Sequence, residues 1–144
     1  MNKTTVYLAG GITGLTIEEA TEWRKLARDL FTTFGEKHFT CFLPTDHYSS
    51  FISSSNVNER AAMDYDLYRL RCSDVMLINM NNPESLGTMA EISLAYALRI
   101  PMVAYADKKI VNKIHPWQEC MINEWFSNLG DAVDYIINNY NPEY

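Results

Sequence analysis

A carboxylate follows a buried strand at one place in this sequence, in a setting that suits covalent chemistry. In Ser85-Leu86-Gly87-Thr88-Met89-Ala90-Glu91-Ile92-Ser93-Leu94-Ala95-Tyr96-Ala97-Leu98, Glu91 falls in the first turn of an expected helix. The apolar run Val75-Met76-Leu77-Ile78 before it reads as a buried strand. A helix N-terminus offers unpaired N–H groups and partial positive charge, so Glu91 is expected there as a stabilised anion. At the carboxyl end of a central strand, such an anion serves as a nucleophile or an electrostatic stabiliser. Thr88-Met89-Ala90-Glu91 also spells a capping box, in which Glu91 reaches back to the Thr88 N–H. The two roles are compatible, because a carboxylate oriented by a cap is better positioned to react.

Other segments could serve the same site. Gly10-Gly11-Ile12-Thr13-Gly14 gives backbone that can approach a ligand closely and offer N–H donors. It is neither a full GxGxxG nor a P-loop, and a plain tight turn explains it equally well. Tyr7, just ahead of it, reads as a sheet aromatic. Asp66 is a candidate polar contact, with a solvated helix position as the ordinary alternative. His47, in Pro44-Thr45-Asp46-His47, lies on the same expected edge. The three histidines lack metal-ligand spacing, and no GxSxG elbow occurs, so neither a metal nor a cofactor is expected.

The elements that must position these residues follow from periodicity. Val6–Ala9 reads as a strand running into Gly10-Gly11. Ala20, Trp23, Leu26, Ala27, Leu30, Phe31 and Phe34 mark a helix, begun by Thr16 with Glu19 and ended at Gly35. Phe39–Leu43 is a second strand. Thr45–Asn58, with Ser53-Ser54-Ser55 at its centre, reads as a long surface loop. A helix over 59–72, a strand over Val75–Asn79, a helix over Thr88–Arg99 and a strand over Pro101–Tyr105 follow. A basic loop at Asp107–Asn112 precedes two helices, about 116–126 and 131–140. Strands alternating with helices predict an α/β, doubly wound, Rossmann- or flavodoxin-like sheet of mostly parallel strands, with helices on both faces. The ligand crevice of such a sheet lies beyond the carboxyl ends of its strands. That rule gathers Gly10–Gly14, the Thr45–Asn58 loop and Ser85–Glu91 on one edge.

Size and charge narrow the partners. The 144 residues are expected to form one domain, 1–144, with a continuous core. A net charge of −6 without a Lys/Arg cluster argues against a nucleic-acid polymer as partner. No apolar run approaches the ~18 residues of a membrane span. Cys41, Cys72 and Cys120 show no pairing or ligand pattern, and Met1-Asn2-Lys3-Thr4-Thr5 has no signal-peptide layout. A cytoplasmic setting with reduced thiols is expected.

Taken together, these residues resemble the nucleoside 2-deoxyribosyltransferase family from Tyr7 to about Tyr140. Tyr7-Leu8-Ala9-Gly10-Gly11-Ile12 looks like the family's opening strand and turn. Asp66-Leu67 with Asp74-Val75 looks like its mid-chain acidic contact. Gly87-Thr88 with Glu91, Ala95-Tyr96-Ala97 and Pro101 looks like the block that carries its catalytic Glu. The resemblance implies cleavage of the N-glycosidic bond of 2'-deoxynucleosides through a deoxyribosyl ester on Glu91, with transfer to a free nucleobase. It further implies that Tyr7 orients the carboxylate, that Gly10 and Gly11 line the sugar pocket, that Ile12 and Gly87 belong to the substrate-binding residues, and that Asp66 contacts the base or the proton-donor side. Ser85 stands six residues before Glu91, where transferases commonly carry Asp. There the chain looks more like 2'-deoxynucleoside 5'-phosphate N-hydrolases, whose Ser helps hold the phosphate of a deoxynucleotide. Gly11 and Glu119 stand where that branch would offer Ser. A homo-oligomer with shared sites is implied as well, with Glu119, Met121 and Asn123 donated to a neighbour. On spacing alone, Trp117, Met121 and Trp125 form a plain helical stripe. A nucleotide-binding or sensing domain without turnover is the alternative of another class.

Overall fold

The computed structural model describes residues 2–47 and 59–144. Strand β1 (Thr4–Ala9) leads to helix α1 (Ile17–Phe34) and strand β2 (Phe39–Phe42). Helix α2 (Glu59–Arg71), strand β3 (Val75–Asn79), helix α3 (Leu86–Ala97) and strand β4 (Met102–Tyr105) follow. Helix α4 (Pro116–Met121), strand β5 (Glu124–Phe126) and helix α5 (Leu129–Asn139) complete the order. The five strands form one all-parallel sheet in the order β2-β1-β3-β4-β5. This is the flavodoxin-like order, in which crossovers leave in opposite directions from β1 and β3.

Each strand alternates its side chains between two cores. Val6, Leu8, Val75, Leu77 and Val103 face α1 and α5, meeting Ala27, Phe31, Ala132, Val133 and Ile136. Tyr7, Ala9, Met76, Ile78 and Ala104 face the other way, against Leu70, Ile92 and Ala95 of α2 and α3. A fully buried Leu or Ile in these layers contributes roughly 1.5–3 kcal/mol of transfer free energy. The doubly wound arrangement expected from the sequence is therefore present. Its pleat decides the chemistry, because Tyr7 lies on the α3 side.

Local signals fixed several boundaries. The Thr16 hydroxyl accepts the Glu19 N–H at 3.1 Å and starts α1. Gly35 ends α1; a Cβ there would lie 2.4 Å from the Phe31 carbonyl oxygen. Two expectations are corrected. The helix anticipated over 116–126 stops at Met121, and Glu124–Phe126 joins β4 as a fifth strand. The Trp117/Met121/Trp125 spacing misled, since Trp117 is exposed while Met121 and Trp125 pack on the core from different elements. The Asn123 side-chain oxygen accepts the Met102 N–H at 2.8 Å and ties the new strand's entry to β4. In the anticipated Thr45–Asn58 loop, residues 45–47 are helical, and 48–58, including Ser53-Ser54-Ser55, lie outside the described residues. Among the described residues no helix is long and apolar enough to cross a membrane. The three cysteines are free thiols.

Candidate active site

Beyond the carboxyl ends of β1 and β3, where the crossovers part, lies a cavity of about 670 Å³. Its walls come from the β1–α1 turn (Gly10, Gly11, Ile12, Thr13, Gly14), from α2 (Met63, Asp66) and from the start of α3 (Ser85, Gly87, Glu91). The volume lies within the range of small-molecule sites. Four glycines in its lining, Gly10, Gly11, Gly14 and Gly87, leave backbone accessible. Gly10 itself is required by packing, because a Cβ would stand 2.8 Å from Cζ2 of Trp23. Gly87 differs, with open space where a side chain would be.

Glu91 sits deeper in its helix than the sequence implied. Ser85, not Thr88, is the N-cap: its hydroxyl oxygen accepts the Thr88 N–H at 3.4 Å and the Thr88 hydroxyl at 2.9 Å. The expected Thr88–Glu91 capping box is therefore replaced by a Ser85 cap, of the kind that contributes about 1 kcal/mol. Glu91 becomes the sixth helical residue, beyond the first turn where the dipole acts strongly. Burial then prevails over the dipole. Desolvation pushes the Glu91 carboxyl up to about 7; the Tyr7 hydrogen bond and Arg24 oppose the rise, and Asp66 adds to it. The expected anion at a helix start is instead a carboxyl poised near neutrality.

Tyr7 supplies a hydrogen bond to that carboxyl. Its hydroxyl donates to Oε2 of Glu91 from the middle of β1. The ring is fully buried and stacks on Phe42 with centroids 5.3 Å apart. Burial, then the Glu91 and Asp66 charges, raise the phenol well above its usual range, so Tyr7 stays a donor. Tyr7 reads as more than a sheet aromatic. Asp66 faces the cavity from α2, and burial lifts its carboxyl to about 6 against the pull of Arg24.

The structure thus gathers Glu91, Asp66, Gly10, Gly11, Ile12, Ser85 and Gly87 around one cavity, with Tyr7 reaching through its wall. Glu119, Met121 and Asn123 stand outside it. Glu119 lines a second cavity of about 410 Å³, and Met121 packs on the core. His47 stacks on Phe42 at 5.7 Å and is not among the cavity's lining residues. Sequence reasoning missed Arg24, which lines the cavity although wholly buried. A signal existed: Ala20, Arg24, Ala27 and Phe31 share one helical stripe, and a cation in an apolar stripe needs a reason.

The model of the nucleoside 2-deoxyribosyltransferase family matches residues 6–139 of this chain. No curated protein matches its sequence. Among solved structures, a conserved protein from Enterococcus faecalis V583 is similar at TM-score 0.75 and 18% identity, with 94% of this chain and 98% of that one covered. A 2-deoxyribosyltransferase from the psychrotolerant bacterium Bacillus psychrosaccharolyticus follows at TM-score 0.71 and 17% identity, covering 92% of each chain. BlsM is similar at TM-score 0.68 and 18% identity, over 94% of this chain and 88% of that one. At such identities these likenesses show the shared fold.

Proposed function

Since this chain belongs to the nucleoside 2-deoxyribosyltransferase family, we propose that it moves the deoxyribosyl group of a 2'-deoxynucleoside to another nucleobase, with Glu91 as nucleophile. The observation that carries this reading is the Tyr7–Glu91 hydrogen bond at the wall of a cavity of about 670 Å³, with Asp66 on the same cavity. An ionised Glu91 oxygen attacks C1' of the sugar. The C1'–N bond breaks, its electron pair leaves with the base, and a deoxyribosyl ester remains on Glu91. A ring nitrogen of the incoming base then attacks C1' and yields its proton to Asp66, which gave one to the departing base, while the carboxylate departs with its electron pair. Covalent capture divides one difficult displacement into two, through transition states of oxocarbenium character.

Each neighbour has a part in this scheme. Tyr7 holds Oε2 and leaves the other carboxylate oxygen for bonding. Asp66, with a carboxyl lifted to about 6, keeps a protonated fraction near neutral pH and can hand a proton to the leaving base. Met63 and Leu86, both largely exposed on the cavity's lining, offer apolar surface to a planar base. Glu119, Met121 and Asn123 can complete the site only from a neighbouring subunit of a homo-oligomer.

Charge favours a nucleoside over its 5'-monophosphate. Among the described lining residues, Glu59, Asp66, Glu84 and Glu91 face a single cation, Arg24. The Ser85 hydroxyl oxygen, the natural phosphate contact, already accepts two hydrogen bonds from Thr88. A dianionic phosphate would meet like charge there.

A substrate panel tests the reading. Deoxynucleosides and deoxynucleoside monophosphates are incubated separately, with and without an acceptor base, and products are separated by chromatography. Release of base from deoxynucleosides, with exchange when an acceptor is present, is expected. Turnover confined to monophosphates and lost in Ser85→Ala would establish a hydrolase instead. Tight binding of a nucleoside with no product over long incubation would establish a binding domain.

A further inference from the structure

Arg24 has no role in the scheme above, yet its surroundings are specific. It is fully buried in the middle of α1. Its Nε donates to the Leu8 carbonyl at 3.2 Å and one terminal nitrogen donates to the Gly10 carbonyl at 2.9 Å. The other terminal nitrogen donates to the Ala20 carbonyl within its own helix. The guanidinium carbon lies 4.7 Å from the centroid of the Trp23 ring. That ring also fills the space against Gly10. Helix, strand end and turn therefore meet at one side chain.

A buried cation usually finds a carboxylate, since removing an unpaired charge from water is expensive. None of the hydrogen bonds or ion pairs among the described residues joins Arg24 to a carboxylate. Three backbone carbonyls hold it instead, two of them at the exit of β1, where the chain turns to line the cavity. Resting on the function proposed above, we infer that Arg24 is a positioning residue: it clamps the Leu8–Gly10 backbone into the cavity wall and holds a fixed positive charge in the lining that it shares with Glu91.

The charged and titratable groups around Glu91 make that charge consequential. Tyr7 comes from β1, Asp66 from α2 and Arg24 from α1, while Glu59 and Glu84 line the same cavity. Asp66 opposes ionisation of Glu91, and Arg24 is the cationic counterweight. Burial lowers Arg24 to about 10, which leaves it charged throughout the neutral range. A planar fork is needed for the clamp, because one ammonium cannot span carbonyls on two elements with fixed geometry.

Two variants and two readouts test the inference on the full chain. Carbon-13 NMR of labelled glutamate follows the Glu91 titration without requiring turnover, and the pH profile of base release follows it in catalysis. In Arg24→Gln the Glu91 midpoint should rise by about one unit, with kcat near neutral pH lowered roughly fivefold. Arg24→Lys keeps the charge and loses the fork, so the midpoint should stay near that of the wild type while KM rises several-fold. A Gln variant with the wild-type midpoint overturns the inference. If Arg24→Gln does not fold, Arg24→Lys decides: an unchanged KM overturns the clamp, and a raised KM with an unchanged midpoint supports it. A wild-type chain that releases no base would refute the proposed function, and the NMR titration would still judge Arg24.

Discussion

Two cavities among the described residues differ in kind. The larger, at the β1/β3 switch, brings Asp66, Glu91 and Arg24 together, with the Tyr7 hydroxyl reaching through the wall to Glu91. The smaller, lined by Val111, Ile114, Trp125 and Phe126, has one cation and one acid at its lining, Lys108 and Glu119. Both lie near strand ends, and in the first the fold displaces the ionisation of two carboxyl groups, Asp66 and Glu91. The contrast follows from topology. Where crossovers diverge, helices from both faces must stand apart, and side chains from β1, α1, α2 and α3 can converge on the gap. At the β4–β5 end no such divergence occurs, and apolar packing dominates.

That contrast can be broken experimentally. Glu91→Ala should carry the largest effect, a loss of base release of at least about 10³-fold, measured as kcat on a deoxynucleoside. Tyr7→Phe should lower kcat by about 10- to 100-fold and move the acid limb of the pH profile upward. The hydroxyl favours the ionised Glu91, so its removal makes protonation easier.

The acid limb is itself informative. As the proposed nucleophile, Glu91 must be ionised to attack, so activity should fall as pH drops through about 7. In Asp66→Asn a like charge disappears and the limb should move to lower pH, opposite to Tyr7→Phe. Limbs that move together would refute the proposed electrostatics.

Stability should respond with its own sign. Folding raises the Glu91 carboxyl from 4.5 to about 7, so the folded chain favours the protonated form. The resulting stabilisation is full below the unfolded value and is lost as pH rises through about 7. Glu91→Gln should therefore be more stable than the wild type at pH 8 by about 1–3 kcal/mol, with little gain at pH 4, as measured by thermal or denaturant unfolding. The smallest effect belongs to the second cavity. Lys108→Ala should leave kcat/KM within about twofold, and a loss comparable with that of Tyr7→Phe would erase the distinction between the two regions.

The sequence made the alternation of strands and helices legible, because Val75–Ile78 and the α1 stripe carry clear periods. It made Glu91, Asp66 and the Gly10–Gly14 turn legible through type and placement. Other features depended on tertiary context. The Ser85 cap displaced the Thr88 cap because the chain reaches helical geometry at Leu86, a choice that local pattern cannot rank. Strand β5 is three residues long and owes its existence to the open edge of β4 and to Asn123. The upward shift of the Glu91 carboxyl required knowledge of what surrounds it, and a helix-start argument gave the wrong sign. Arg24 was visible as a cation in an apolar stripe, although its three carbonyl partners were not.

Mass spectrometry of the chain after rapid quenching with a 2'-deoxynucleoside, without acceptor base, is the most direct test of the covalent step. One added deoxyribosyl group, located on the peptide containing Glu91 and missing in Glu91→Gln, is the expected result. Free base released at the wild-type rate from a chain that never gains that mass would contradict it.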